Sequence, residues 1–522
     1  MSDITKFTAA VNTGYTFKGQ TITIGGGMLD GTVVPSLPIH IPLAMMNRHG
    51  LIAGATGTGK TKTLQKITEQ LSLNGVPCMV MDIKGDLSGI SRPGTISDRI
   101  DARQKAIGQT WSPQQLPIEF LTISQQAGAK VRATVLEFGP VLFSKILELN
   151  DTQGGVVSII FKYCDDNKLP LLDLADFKRV LQFLTSEGKE EATRLYGQIS
   201  PASVGTIQRK IIELETQGAN EIFGEMSFDI NDLIRCDSSG RGYISVLRLT
   251  DMQTKPKLFS TFMLSLMAEI YATFPEMGDV AKPKFCLFID EAHLIFDQAT
   301  KALLDQLEQT IKLIRSKGVG IYFITQNPVD VPSPILSQLG LKVQHALRAF
   351  TAADNKAIKM TADNYPITEF YETKKVLTSL GIGEALLTCL DDRGNPTPLV
   401  QVMMSSPETR MDVITEAELQ QSVNSSMIAA KYNQVIDRES AMEILNARIA
   451  AQPAQSDNGV QNKPSQTQDD TQGGGILDTI SDITGSRLGK QVSGQITRNI
   501  TSALTRGLLG ALGLGGRSKG GW

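Results

Sequence analysis

The stretch Gly54-Ala55-Thr56-Gly57-Thr58-Gly59-Lys60-Thr61 decides the fold, because it matches the pattern G-x-x-x-x-G-K-[S/T] at every position. An apolar segment precedes it. After it, Leu64, Ile67 and Leu71 recur at the i, i+3, i+7 spacing of one helix face. A strand, a glycine-rich loop and a helix in this order form a phosphate-binding loop, or P-loop. The sequence therefore predicts that residues 49–90 are the first part of an α/β nucleotide-binding core.

Each residue type in this loop suits a bound triphosphate. Glycines permit the positive-φ backbone that turns amide N–H groups towards phosphate oxygens. Lys60 is expected to bridge the β- and γ-phosphates, and Thr61 to offer its hydroxyl to Mg²⁺. We therefore expect ATP and Mg²⁺ as the ligands. The residues expected to bind the nucleotide are Gly54, Ala55, Thr56, Gly57, Thr58, Gly59, Lys60, Thr61 and Thr63.

A second signal is the segment 284–291, KFCLFIDE, which reads as a buried strand that ends in two carboxylates. Asp290 is expected to hold Mg²⁺ through water, and Glu291 to polarise the attacking water. A switch that only binds nucleotide needs the metal-binding acid alone, so the second carboxylate favours hydrolysis. The alternative is a strand that ends in two solvated acids without a catalytic role.

Three further residues are candidates for contact with the γ-phosphate. Gln326 follows the apolar strand 321–325, where it could sense the phosphate or orient water, or instead cap a loop. Arg315 ends a predicted helix and Arg348 ends a predicted strand, and either could reach a neighbouring subunit's γ-phosphate as an arginine finger. The alternatives are pairing with the helix dipole for Arg315 and a surface salt bridge for Arg348.

Composition excludes several classes of protein. The formal net charge of −3 gives no general basic field that would draw the chain onto nucleic acid, although a ring motor can confine its DNA contacts to a few loops. Five widely spaced cysteines with no C-x-x-C pair favour neither a disulfide framework nor a zinc site. A signal peptide and an apolar run of roughly 20 residues are both missing from the sequence. We therefore expect a cytoplasmic protein without a membrane span.

Patterning divides the chain into seven segments. Strands that alternate with helices in the core predict right-handed crossovers and a mostly parallel sheet. The tail carries arginines among leucines and glycines, which favours an oligomer contact or disorder over an amphipathic helix on a membrane or in a groove. The segments are a short β element (1–48), two parts of the core (49–90 and 241–405, the latter ending in a hairpin), a largely helical insertion (91–240), a helical segment (406–451), a disordered linker (452–474) and a Gly/Leu-rich basic tail (475–522).

Four motifs together resemble those of the HerA–FtsK superfamily of P-loop ATPases, in the same order along the chain. They are GATGTGKT at 54–61, DIKGD at 82–86, FIDEAH at 288–293 and ITQNP at 324–328. The P-loop pattern occurs in many ATPases, whereas the combination of the other three is much more specific. The chain is similar to the YjgR-like bacterial proteins, which are identified as HerA-like helicases. The similarity covers roughly residues 20–405 and the tail.

The resemblance implies a RecA-like α/β core, a ring of six subunits, and ATP-driven movement on double-stranded DNA. It implies that Asp82 lies near the nucleotide or metal, and that the nucleotide-site roles belong to Lys60, Thr61, Asp290, Glu291 and Gln326. HerA begins with a full β-barrel domain, whereas a short glycine-rich segment precedes this P-loop. A nuclease or other effector as a further partner is therefore a weaker expectation than the homo-oligomer.

Two other functions stay open at this point. Secretion and conjugation ATPases share the superfamily core and act on protein or protein–DNA substrates, so the polymer moved need not be DNA alone. A nucleotide-regulated scaffold without motor activity would use the helical insertion and the tail to recruit partners. For a DNA motor, the loops 85–94 and 327–337 are the candidates for lining a pore.

Overall fold

The computed structural model describes residues 3–296, 301–434, 436 and 438–451 of the 522-residue chain. The linker predicted at 452–474 and the tail predicted at 475–522 lie outside the described residues. Among the described residues, no helix combines the length and apolar character that a bilayer crossing needs.

Twelve strands of the described chain form a single sheet in the order β2-β1-β12-β11-β10-β3-β9-β8-β4-β7-β5-β6. Their bounds are β1 Thr21–Leu29, β2 Thr32–Pro42, β3 Gly50–Ala53, β4 Cys78–Asp82, β5 Ile118–Thr122, β6 Ala129–Lys130, β7 Ile244–Arg248, β8 Phe285–Ile289, β9 Val319–Thr325, β10 Leu341–Gln344, β11 Glu384–Thr388 and β12 Val400–Met404.

The strands from β10 to β6 in this order are joined by parallel pairing, which confirms the predicted mostly parallel sheet. Strands β3, β4, β8 and β9 are buried along their whole length, so both faces of the central sheet are covered. Ala53 lies opposite both Thr325 and Gln344 in the register. The residues that follow these parallel strands therefore meet at one edge, which we call the carboxyl edge.

Four antiparallel strands extend the sheet beyond β10. Strands β11 and β12 form the hairpin predicted around residues 384–404. Strand β1 pairs with β12, and β2 pairs with β1, so the N-terminal strands continue the same sheet. Gly25 lies against the β12 backbone, where an added Cβ atom would come 2.2 Å from the Met403 oxygen. The pairing of β1 with β12 therefore requires glycine at this position.

Some helices belong to the unit that contains the sheet, and others form a second, helical unit. Helix bounds are α1 Ile4–Gly14, α2 Lys60–Leu73, α3 Asp98–Ala106, α4 Val135–Ile146, α5 Asp151–Asn167, α6 Leu174–Thr185, α7 Lys189–Tyr196, α8 Pro201–Thr216, α9 Pro256–Thr273, α10 His293–Phe296, α11 Lys301–Ile314, α12 Ser333–Leu336, α13 Ala352–Asp363, α14 Thr373–Ser379, α15 Glu416–Asn424, α16 Met427–Tyr432 and α17 Ala441–Ala451. Short 3₁₀ turns lie at Leu43–Arg48, Ser88–Ser91, Ala219–Glu221, Ile230–Leu233, Arg315–Lys317 and Pro328–Asp330.

The chain divides into two compact units. The first contains the sheet and comprises the described residues of 1–134, 144–150 and 205–437. The second is helical and comprises those of 135–143, 151–204 and 438–522. Its core includes Phe143, Phe161 and Phe177, and the Phe143 and Phe177 ring centroids lie 4.9 Å apart. The segment 91–240, in which helical patterns dominate, thus also supplies two strands, β5 and β6, to the sheet.

The segment 405–412, which follows β12, crosses helix α2 within the first unit. The fully buried Glu69 carboxylate of α2 accepts hydrogen bonds from the Glu408 and Thr409 backbone amides at 2.9–3.1 Å. Gln65 Nε2 donates to the Arg410 oxygen at 2.9 Å. Burial raises the pKa of Glu69, and these donors counteract that rise. The helix behind the P-loop is therefore held by directed polar contacts.

Replacing Gly25 by alanine should destabilise the first unit, because the new Cβ atom would clash with the β12 backbone. Crowding of this kind lowers the free energy of unfolding by about 1–3 kcal/mol. Urea unfolding followed by circular dichroism measures the change. Gly19→Ala is the matched control, since an added Cβ atom there meets no atom within 4 Å. Equal stability of the two variants would contradict the pairing of β1 with β12.

Candidate nucleotide-binding site

The P-loop lies at the carboxyl edge, between β3 and α2, and is fixed to both neighbouring strands. Its Gly54 amide donates to the Thr325 oxygen at the end of β9, at 3.2 Å. Its Ala55 amide donates to the Ala346 oxygen just beyond β10, at 2.8 Å. The loop glycines 54, 57 and 59 have φ values of +150°, +78° and +112°, in the region that side chains rarely adopt. The loop conformation therefore requires glycine at these positions, and the loop is built on the two parallel pairings of β3.

Lys60 begins helix α2 and points back into the loop. Its Nζ atom donates to the Gly54 oxygen at 2.7 Å and to the Ala55 oxygen at 3.1 Å. Burial and then the ammonium of Lys84 lower the pKa of Lys60, whereas Glu291, Asp290 and Asp86 raise it. Lys60 thus shares one electrostatic environment with the acids that follow β8, although 230 residues separate it from Asp290.

The Thr63 hydroxyl faces the sheet. It bonds His345 Nε2 at 2.9 Å, and His345 Nδ1 donates to the Glu384 oxygen at 2.8 Å. Burial lowers the pKa of His345 to about 4, so the ring is neutral near pH 7. Because the Glu384 carbonyl can only accept, Nδ1 carries the proton and Nε2 accepts from Thr63. Thr63, which was predicted to bind nucleotide, is placed by the structure as an anchor between α2 and β10.

The other polar side chains of the loop, and Thr61 at the start of α2, contact the loop itself and the residues that follow the neighbouring strands. The Thr58 hydroxyl donates to the Ala55 oxygen at 2.7 Å, which closes the loop on itself. The Thr56 hydroxyl lies 3.5 Å from Gln326 Oε1, so the structure places Gln326 beside the P-loop. Gln326 is exposed, and its amide remains able to turn towards a ligand. The half-buried Thr61 hydroxyl donates to Asp86 Oδ2 at 3.4 Å.

The predicted acidic pair follows β8 at the same edge. Asp290 is 3% exposed, and burial followed by the neighbouring Glu291 raises its pKa to about 7. Glu291 has a φ of +47°, an uncommon conformation for a residue with a side chain. Its carboxylate forms an ion pair with Lys84 and lies 3.1 Å from His293 Nδ1 through Oε2. The strand end therefore presents both carboxylates close to the P-loop.

The loop after β4 carries Lys84 and Asp86, two charged residues to which the sequence analysis gave no role. Asp82 accepts hydrogen bonds from the Gly85 amide at 2.7 Å and the Leu87 amide at 3.3 Å, so it shapes this loop. Burial, followed by Asp86, raises the pKa of Asp82 to about 6. Lys84 reaches Glu291, and Asp86 reaches Thr61. The D-x-K-G-D spacing after a strand next to β8 was the available signal for both residues.

The residues at this edge fit a magnesium ion held jointly with a nucleotide. Asp86 Oδ1 is buried and has no hydrogen-bond partner among the described residues. The other oxygen of this carboxylate accepts from the Thr61 hydroxyl, and Asp86 also acts on the pKa of the buried Asp290. No cluster of three or more His, Cys, Asp or Glu residues in the described chain could hold a metal by itself. Mg²⁺ typically takes one or two protein oxygens and completes its shell with phosphates and water.

The two candidate arginines lie at opposite edges of the sheet. Arg348 is exposed beyond the carboxyl end of β10, at the edge of the P-loop. Arg315 is exposed just before β9, at the amino edge, where it acts on the pKa of Arg48 and His49. At about 3.3 Å per residue, β9 separates Arg315 from the P-loop edge by roughly 20 Å. Arg315 therefore cannot serve the nucleotide site of its own chain.

Arg92 lies in a loop proposed to line a pore. Its guanidinium donates to the Ser91 and Glu418 oxygens at 3.2 and 3.1 Å. It also lies 3.8 Å from the Glu418 carboxylate. Two of the five guanidinium N–H donors are thus used within the chain, and Glu418 offsets part of the charge, which leaves less of both for a phosphate backbone.

Comparison with known proteins assigns the chain to a family. The model described as "Helicase HerA-like C-terminal" matches residues 30–519, which is more than half of the chain. The chain belongs to the helicase HerA-like C-terminal family. This result confirms the resemblance that the four motifs indicated.

Two curated relatives carry related descriptions. "DNA double-strand break repair helicase HerA" of Sulfolobus acidocaldarius is 22% identical over 379 residues, which cover 70% of this chain and 68% of that protein. "Probable helicase MJ1565" of Methanocaldococcus jannaschii is 34% identical over 110 residues, which cover 21% of this chain and 20% of that protein. The first match covers much of both chains, whereas the second is confined to a short segment.

Solved structures confirm the predicted fold class. The bacterial conjugative coupling protein TrwB aligns with a TM-score of 0.50 at 14% identity, over 78% of this chain and 94% of that chain. Its complex with ADP and Mg²⁺ aligns with the same TM-score, identity and coverage. At this level of identity, the likeness concerns the α/β P-loop fold.

Two neighbouring threonines of α2 should respond differently to removal of their hydroxyl groups. Thr61→Val should weaken Mg²⁺-dependent ATP binding with little effect on stability, because the Thr61 hydroxyl faces Asp86 and the metal position. Thr63→Val should lower the free energy of unfolding by about 1–3 kcal/mol, since it leaves the buried His345 nitrogen unpaired. Calorimetric titration and urea unfolding measure the two effects. Weakened binding without destabilisation in Thr63→Val would instead make Thr63 a nucleotide ligand.

Proposed function

We propose that the protein is an ATP-hydrolysing HerA-like motor that assembles into a ring, most simply of six subunits, and translocates on or unwinds double-stranded DNA. The observation that carries this proposal is the convergence of Lys60, Asp290 and Glu291 at one edge of a parallel sheet. A passive nucleotide site has no need of a second carboxylate placed beside the metal-binding acid. The family of the chain and the description of its HerA relative support a helicase-type motor.

Each residue has a defined role in this proposal. The P-loop amides and Lys60 bind and orient the β- and γ-phosphates, and Thr61 and Asp290 hold Mg²⁺, the latter through water. A bound Mg²⁺ would supply positive charge to the phosphate oxygens. Glu291 orients the attacking water and accepts its proton. Gln326, beside Thr56, contacts the γ-phosphate and reports its loss to the loop that follows β9.

DNA is the substrate that the comparisons favour, since the HerA relative is described as a DNA repair helicase. The net charge of −3 means that phosphate contacts must be confined to a few loops of the ring. A nuclease or another effector is a further partner that such a motor would serve. An ATPase that acts on a protein or protein–DNA substrate and a nucleotide-regulated scaffold are the other outcomes that the following experiment separates.

ATPase activity measured without DNA, with single-stranded DNA and with duplex DNA tests the motor. We expect Mg²⁺-dependent hydrolysis that duplex DNA stimulates. Glu291→Gln should lower kcat by about 100-fold or more while nucleotide binding persists, because general bases contribute about 10²–10⁴-fold. Glu416→Gln, at an exposed position in α15, is the control and should behave as the parent protein.

The outcomes of this experiment separate the three functions. Hydrolysis that no DNA alters would contradict a DNA motor and favour a protein substrate. An absence of hydrolysis together with tight nucleotide binding would favour the scaffold. Size-exclusion chromatography with light scattering, carried out on the same samples, gives the number of subunits in the assembly.

Mixing inactive variants tests which arginine acts between subunits. Arg315 is exposed, has the like-charged Arg48 nearby and has no carboxylate partner among the described residues. We therefore expect Arg315→Ala to lose hydrolysis by about 10³-fold, as arginine fingers do. Mixing with Lys60→Ala subunits should restore activity, because each assembly then contains sites with an intact P-loop and an intact Arg315. Recovery with Arg348→Ala and not with Arg315→Ala would assign the role to Arg348.

A further inference from the structure

Lys84 is a second lysine at the nucleotide site. Its side chain is 35% exposed, and its ammonium group forms an ion pair with Glu291, whose side chain is 6% exposed. Burial alone would lower the pKa of Lys84, but Glu291 and then Asp290 and Asp86 raise it, so the ammonium stays charged. Glu291, the residue proposed to orient the attacking water, is thus paired with a cation from the loop that follows β4.

The backbone around Lys84 is shaped to aim this side chain. Strands β4 and β8 are parallel neighbours with Met81 opposite Ile289, so the residues just beyond them lie at the same level. Asp82 holds the Gly85 and Leu87 amides, and Gly85 has a φ of +79°. Asp82 therefore fixes the turn, and the Lys84 side chain extends from it to Glu291.

Two ammonium groups interact with the same acids. Lys84 lowers the pKa of Lys60 through like-charge repulsion, and Glu291, Asp290 and Asp86 raise the pKa of both lysines. Each of them contacts groups of the chain, Lys60 the loop carbonyls and Lys84 the Glu291 carboxylate. A terminal phosphate group carries more negative charge than one carboxylate and offers three oxygens. It therefore competes with Glu291 for the ammonium of Lys84.

We propose that Lys84 exchanges Glu291 for the terminal phosphate when a nucleoside triphosphate binds, and thereby distinguishes triphosphate from diphosphate. The inference rests on the proposed nucleotide function of the same site. When Lys84 moves to the phosphate, Glu291 is released to orient water. A diphosphate lacks the group that attracts Lys84, so Glu291 remains paired. Hydrolytic competence is in this way coupled to the presence of the γ-phosphate.

Equilibrium binding of a non-hydrolysable triphosphate, AMPPNP, and of ADP tests the exchange in the full-length chain with Mg²⁺. Lys84→Met should weaken AMPPNP binding by about 10- to 100-fold, the range expected for a hydrogen bond to a charged group. ADP binding should stay within about twofold, since ADP makes no contact with Lys84. Lys84→Arg should retain most of the preference for AMPPNP. Equal weakening of both nucleotides, or of neither, would overturn the proposal.

Lys257→Met is the matched control. Lys257 is 40% exposed and forms an ion pair with Glu213 at 2.6 Å, so its loss resembles that of Lys84 in charge and burial. It should leave both affinities unchanged. An effect of Lys257→Met equal to that of Lys84→Met would attribute the result to net charge and reject the specific contact.

A double-mutant cycle with Glu291→Gln separates the exchange from a static ion pair. Glu291→Gln removes the competitor for Lys84, so AMPPNP should bind several-fold more tightly relative to ADP. In the Lys84→Met, Glu291→Gln double variant this gain should disappear. Persistence of the gain in the double variant would contradict the exchange. If the parent protein bound neither nucleotide, the proposed function itself would fail, which is a different result from nucleotide binding without discrimination by Lys84.

Discussion

The parallel register of β3, β4, β8 and β9 is the constraint on which the rest of the site depends. All four strands are buried throughout, so charged side chains can occur only where the strands end. Because the strands run in the same direction, their carboxyl ends lie at one edge. That edge collects Lys60, Lys84, Asp86, Asp290, Glu291 and Gln326. A register shift of one residue would displace the end of one strand, and the loop that follows it, by about 3.3 Å relative to its neighbours.

Charges of both signs stabilise one another at this edge. Burial, followed by repulsion from a neighbouring carboxylate, raises the pKa of Asp82 to about 6 and that of Asp290 to about 7. The two lysines offset part of this cost. The ligand that suits such a site is itself a pair, a polyanion together with a divalent cation, because each half finds partners of the opposite sign. Glu291, which has a φ of +47°, is a residue at this edge whose backbone conformation is costly for a residue with a side chain.

Local pattern was enough to predict the P-loop, the acidic strand end, the position of Gln326 and the hairpin at 384–404. Each of these rests on residues adjacent in sequence. The ion pair of Lys84 with Glu291 and the bond of Thr63 to His345 could not be predicted, because they join residues more than 200 positions apart. Helix α1 lies in the segment 1–48, which was predicted as a β element, and strands β5 and β6 lie in the segment 91–240, which was predicted as largely helical. Strands β5 and β6 have five and two residues, and short apolar runs do not distinguish a helix from a strand. The position of Arg315 at the amino edge of the sheet is known only once the direction of β9 is known.

A structure of the protein determined with Mg²⁺ and a complex of ADP with beryllium fluoride tests the central claim most directly. The account predicts a metal ion about 2.0–2.1 Å from the Thr61 hydroxyl oxygen, as Mg²⁺ requires. It also predicts Asp290 one water molecule away from the metal, and Lys60 on the β-phosphate and the fluoride group. A nucleotide bound away from the P-loop, or a metal ion remote from Asp290 and Glu291, would contradict the account.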